Sequence, residues 1–146
     1  MKERGSSPPT MRTSMNTIKS LVLLLAVSLF GATAATAETV SKGAWTKKSN
    51  SISGSWSIEK DGDKYTLKLK GFKTKSAPDL KLFLSKQSAG AITGKNATSG
   101  AVRLAKLKSP KGDQTYVLPS GINPSDYKTL VLHCEKFSKA WGVGTL

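Results

Sequence analysis

Of 146 residues only one is cysteine and one is histidine, and acidic side chains number 9 against 23 lysines and arginines. One thiol excludes an internal disulfide, a four-cysteine zinc site and any paired-thiol redox motif, each of which takes at least two. One imidazole excludes a multi-histidine metal cage. The scarcity of acid leaves a formal net charge of +14, which favours anionic partners. Charged residues at 22% and aromatics at 7% are ordinary for a globular domain. The length fits a single domain.

Residues 18–30 have the character of a secretory signal. Lys19 supplies positive charge, Leu21 to Phe30 is apolar except for Ser28, and Ala35-Thr36-Ala37 fits the small-x-small cleavage rule. The run falls short of the about 20 apolar residues that span a bilayer; an uncut N-terminal anchor is the alternative. Met1 to Ser14 is polar and carries Pro8-Pro9, so Met15, which opens a signal of ordinary length, is the expected start. Residues 1–37 then form the leader and 38–146 the exported domain, periplasmic or secreted. Lys2, Arg4, Arg12, Lys19 and Glu3 leave with the leader, so the mature chain keeps 19 basic and 8 acidic residues, a net +11. It has no methionine.

From Trp45 onward the pattern is one of strands and turns. Ser55 to Ile58 and Lys64 to Leu69 flank Asp61-Gly62-Asp63, a hairpin signal. Tyr65, Leu67 and Leu69 alternate with Thr66, Lys68 and Lys70, giving one buried and one solvated face. Asp79 to Leu84 repeats the scheme, with Leu80, Leu82 and Leu84 on one side and Lys81, Phe83 and Ser85 on the other. Pro78 precedes it, where a missing N–H harms a strand least. Ser88 to Gly100 is a loop, and its Asn96-Ala97-Thr98 sequon is read as chance. Further strands are expected at Val102 to Leu107, Thr115 to Leu118, Leu130 to Cys134 and Ala140 to Val143, with at most a helical turn at Pro124 to Tyr127. Seven to eight short strands and no long helical period predict an all-β fold, a small antiparallel β-sandwich.

Cys134 ends an apolar run, Leu130-Val131-Leu132-His133, without alternation, as in a central strand covered on both faces. By period two it points with Leu132 and Leu130, and His133 points with Val131. The plain reading is a small buried hydrophobe; an unpaired thiol in an oxidising compartment is the reason to look further. Composition removes blue copper, which takes two histidines, a cysteine and usually a methionine. It also removes covalent c-type haem and iron–sulfur clusters. A bare thiol survives, as does a non-covalent haem held by Cys134 or His133, one or the other, because neighbouring strand residues face opposite ways. The same geometry weakens a Cys134–His133 nucleophile and base, so an electron-transfer or binding module is a better expectation than an enzyme. No metal site is expected.

The connected motifs resemble the DM13 domain, an electron-transfer domain of extracellular proteins. Ser53-Gly54, Asp61-Gly62, Tyr65-Thr66-Leu67-Lys68-Leu69 and Gly71-Phe72 are similar to its first hairpin. Ala77-Pro78-Asp79-Leu80 is similar to its Gly-Pro-Asp-Leu strand, with Ala77 in place of glycine. Leu104-Ala105-Lys106-Leu107, Gly112-Asp113-Gln114-Thr115-Tyr116 and Pro119 resemble the central block, with Ala105 again replacing glycine. Tyr127, Val131-Leu132-His133-Cys134, Phe137, Trp141-Gly142 and Leu146 resemble the closing block. The resemblance implies a β-sandwich whose family cysteine, here Cys134, serves redox chemistry as a thiol or through a group such as haem. His133 stands where the family often has an aromatic residue. With no attached haem-binding or oxidoreductase domain expected, the electron partner is expected to be another molecule.

Asp79 and Gly112-Asp113-Gln114 read first as turn elements, and Trp45, Trp56 and Trp141 as packing rather than a carbohydrate platform. Lys68, Lys70 and Lys81 fall on expected solvated strand faces and predict a lysine-bearing sheet face. Edge lysines also deter strand-to-strand aggregation. The expected partners are an acidic protein redox partner or an anionic envelope polymer, with membrane contact only peripheral and no nucleic acid. A monomer is expected, with a Cys134-linked dimer as the alternative.

Overall fold

The computed structural model describes residues 35–146 together with Gly5. The leader and its apolar run lie outside the described residues, apart from Ala35 to Ala37, which are exposed and irregular. Alternating apolar and polar positions, with glycine or proline between the runs, give nine strands. They are β1 (Glu38–Ala44), β2 (Thr46–Lys47), β3 (Ile52–Asp61), β4 (Lys64–Thr74) and β5 (Leu80–Ser85), followed by β6 (Val102–Lys106), β7 (Gln114–Val117), β8 (Thr129–Cys134) and β9 (Lys139–Thr145). All pairings are antiparallel, in one sheet ordered β1-β3-β4-β7 and another ordered β2-β9-β8-β5-β6.

The expected sandwich is therefore present. Ile58, Leu67, Leu69 and Tyr116 of the four-stranded sheet meet Leu82, Leu84, Leu130 and Leu132 of the five-stranded sheet in one interior. Each large apolar side chain so covered contributes about 1.5–3 kcal/mol. Trp45, Trp56 and Trp141 are all buried, which fits packing and leaves no aromatic platform. The β3–β4 hairpin turns at Gly62, whose φ of 59° suits glycine. Only single turns of 3₁₀ helix occur among the described residues, at Ala89–Ala91 and Pro124–Asp126.

The Ser53-Gly54 and Gly71-Phe72 motifs have a structural purpose. The β3–β4 register slips between Ser53 and Ser55, so Gly54 faces two residues of β4, Gly71 and Phe72. A Cβ on Gly54 would lie 2.7 Å from the Lys70 and Gly71 carbonyl oxygens, and its φ is 99°. The bulge turns Phe72 inward, to 1% exposure, where strict alternation after Leu69 would have faced Gly71 inward.

Two expectations need correction. Phe83 and Ser85, placed on a face like the solvated one of β4, are 4% and 0% exposed. The Ser88 to Gly100 segment covers Phe83: Ile92 and Ala97 pack with it and with Val131, Ala140 and Val143 in a second apolar layer outside the five-stranded sheet, and the Ser85 hydroxyl accepts the Gln87 N–H at 3.1 Å. Asn96 is committed inside that segment, accepting from the Thr93 N–H at 2.7 Å and donating to the Ala91 carbonyl at 2.9 Å. The other correction is that strands begin before Trp45, with β1 as an edge strand of mostly exposed residues.

Candidate functional site

β8 is buried at every residue and lies between β5 and β9, as its unbroken apolar run requires. Cys134, at its end, is 0% exposed and shares the interior with Trp45, Phe72, Leu80 and Trp141. Its register partners are Leu80 and Lys139. The β8–β9 register slips between Leu132, opposite Gly142, and His133, opposite Ala140. Trp141 is the extra residue, and the slip puts its indole in the same interior as the thiol. Trp45 meets Phe72 edge to face at 5.9 Å. The indole N–H groups of Trp45 and Trp141 are both buried without a hydrogen-bond partner.

His133 faces the other way, into the second layer, edge-on to Phe83 at 6.1 Å. Its Nε2 lies 3.0 Å from the Gly94 carbonyl, so Nε2 carries a proton and donates it, leaving Nδ1 buried and unpartnered. The two residues that period two separated are thus on opposite sides of the sheet. They cannot grip one atom or act as nucleophile and base. A porphyrin does not fit at either: Cys134 is sealed in the interior, His133 is engaged with Gly94, and none of the clefts described is lined by either residue. No step is assigned to haem.

Lys68, Lys70 and Lys81 do not share a face. Lys68 and Lys70 stand on the outside of the four-stranded sheet, beside Lys42, Ser55 and Ser57 around a cleft of about 620 Å³. Lys81 belongs to β5 in the other sheet, where it pairs with Asp79 at 3.1 Å and with Glu135. Period gave its outward direction, but sheet membership is set by topology. Asp79 therefore spends its carboxylate on Lys81 rather than on a turn N–H. Lys68 pairs with Glu59 at 2.5 Å, and Lys70 approaches Asp113 at 3.7 Å.

Gly112-Asp113-Gln114 enters β7 as a turn, with a wider task than sequence shows. Asp113 Oδ1 accepts the Gly71 N–H at 2.7 Å, at the β4 bulge. Gln114 donates to the Ser109 carbonyl at 2.9 Å and accepts the Tyr116 hydroxyl at 2.5 Å. Burial raises the Tyr116 phenol above its usual 10.0, against the opposing hydrogen bond from the Lys108 N–H. Hydrogen bonds that Lys81 donates to the carboxylates of Glu135 and then Asp79 raise it above its usual 10.5. Both groups hold their protons more tightly when folded, so their stabilisation is complete below about pH 10 and disappears as pH rises through the raised values. The urea midpoint is expected to fall as pH rises above about 10, less steeply in Tyr116→Phe. An unchanged slope in that variant would remove Tyr116 from the account.

Together these features define a small β-sandwich with one thiol sealed in its interior. The chain belongs to the DM13 family: the family model described as Electron transfer DM13 matches residues 45–146, from Trp45 through β9 and beyond Cys134. No curated protein and no solved structure matches the chain.

Proposed function

We propose that the protein is an accessory in electron transfer outside the cytoplasm, with Cys134 as its redox centre. The observation that carries this reading is the seating of the family's only thiol in this chain at 0% exposure, in one interior with Trp45, Phe72 and Trp141. A group that exchanges electrons without touching its partner tolerates full burial, whereas thiol exchange does not. Family membership supports the electron-transfer role in general, and the secretory character of residues 18–30 supports export. Voltammetry of the purified protein on an electrode is expected to show a wave that disappears in Cys134→Ala. The absence of any wave in the wild type, or a wave that persists in Cys134→Ala, overturns the reading.

A second reading rests on the outer face of the four-stranded sheet, where Lys42, Lys68 and Lys70 border the 620 Å³ cleft among serines. It is a binding module for anionic envelope polymers. On that reading charge reversal at Lys68 and Lys70 abolishes binding, and Cys134→Ala leaves it intact.

A further inference from the structure

The net charge differs along the strand axis. One end of the sandwich holds the β3–β4 hairpin and the turn before β8, and there Glu38, Asp61, Asp63 and Asp126 are balanced by Lys60, Lys64, Lys86 and Lys128. The opposite end holds Cys134, the β8–β9 turn and the start of β5. Its acids are already matched: Asp79 and Glu135 both bind Lys81, and Asp113, nearest to that end on the other sheet, faces Lys70. Lys48, Lys95, Lys136 and Lys139 at the same end have no ion-pair partner among the described residues.

That end also carries the one exposed aromatic side chain among the described residues. Phe137, in the β8–β9 turn, is 53% exposed; the other large exposed apolar residues are Val40 and Val117, both on the four-stranded sheet. Next to it in the chain, Ser138 and Lys139 line a cleft of about 510 Å³ with Lys48, Lys95 and an apolar floor of Ile92 and Ala140. The turn is held in place. Ser138 sits at φ 49°, and its carbonyl presses on Gly94 so closely that a Cβ there would lie 2.0 Å away.

We propose that this thiol end, with Phe137 as apolar anchor and Lys48, Lys95, Lys136 and Lys139 as rim, is the docking face for an acidic protein partner. An apolar centre within a charged rim is the anatomy of a protein interface, and one phenyl ring offers little to a lipid surface. The excess of unpaired lysines here, against a balanced opposite end, turns this end toward a negative partner during encounter. Cys134 is three residues from Phe137, so docking here brings a partner to the part of the surface nearest the thiol in the chain. The proposal rests on the electron-transfer reading for its purpose but not for its test.

Binding of a random glutamate–tyrosine copolymer, poly-glutamate and phosphatidylglycerol vesicles is compared at low salt, with amide shifts mapped on the purified protein. The copolymer is expected to shift residues 136–139 and to bind about fivefold tighter than poly-glutamate, an advantage lost in Phe137→Ser. The pair Lys136→Glu and Lys139→Glu weakens copolymer binding about tenfold, while Lys68→Glu and Lys70→Glu together cost less than about threefold. Circular dichroism confirms that each variant folds. A greater loss from the Lys68 and Lys70 pair, tighter binding to vesicles than to copolymer, or no binding at all overturns the proposal. Cys134→Ala is expected to bind unchanged, so a failed electrode experiment and a failed docking experiment are separate results.

Discussion

Cys134 in the folded protein is expected to react with an aromatic disulfide reagent at least about a thousandfold more slowly than in the unfolded chain. The thiol is 0% exposed, on a strand paired on both sides, with the four-stranded sheet packed over its face. Reagent reaches it only when β8 leaves β5 or the sheets part, and such openings cost up to the full stability, about 5–15 kcal/mol for a domain. The comparison is the labelling rate in buffer against that in concentrated guanidinium. Rapid, complete labelling in buffer would mean that the thiol end opens on its own, and thiol exchange would return as a mechanism. The expected protection leaves direct exchange and a disulfide-linked dimer to molecules that have already unfolded. It narrows the chemistry of Cys134 to what passes through packed side chains.

Trp56→Ala is expected to cost about 3–5 kcal/mol, a large share of the stability of a domain this small. Trp56 is 2% exposed, and its indole donates to the Ala44 carbonyl at 3.3 Å. Two glycines shape its slot: a Cβ on Gly43 would come within 2.9 Å of the ring, and one on Gly144 within 2.2 Å of Nε1. Gly144→Ala alone is therefore expected to cost at least about 1–3 kcal/mol through overcrowding. Combined with Trp56→Leu, its cost shrinks, because the methyl group then fills vacated space. Urea unfolding of Trp56→Ala, Gly144→Ala, Trp56→Leu and the double variant provides the check. If Gly144→Ala changes the midpoint negligibly, or adds its full cost beside Trp56→Leu, the slot does not constrain β9 in this way.

Local periodicity carried much of this architecture. The unbroken apolar run before Cys134 marked a strand covered on both faces, and strict alternation separated Cys134 from His133, as the second layer beneath Gly94 bears out. What periodicity lacks is knowledge of neighbours. Lys68 and Lys81 read alike along the chain, yet they belong to different sheets, and Lys81 meets Glu135 across 54 positions. Phe83 read like an outward position because its cover, Ile92 and Ala97, sits in a segment without any period of its own. Glu38–Ala44 escaped notice as a strand because an edge strand with little burial has little pattern to display. The bulges at Gly54 and Trp141 were visible as motifs, but their effect on facing appears only once the register is known.

The pairing of β2 with β9 has a consequence in time. Thr46 meets Val143 and Lys47 meets Gly142, so the five-stranded sheet is completed by contacts between the two ends of the domain. Pairings so distant in sequence are late and slow to form, in contrast to the β3–β4 hairpin. Until β8 and β9 are in place, the thiol is open to any oxidant in its surroundings. The vulnerability of Cys134 is thus governed by the duration of folding, and the protein must finish its sheet before its single thiol is shielded.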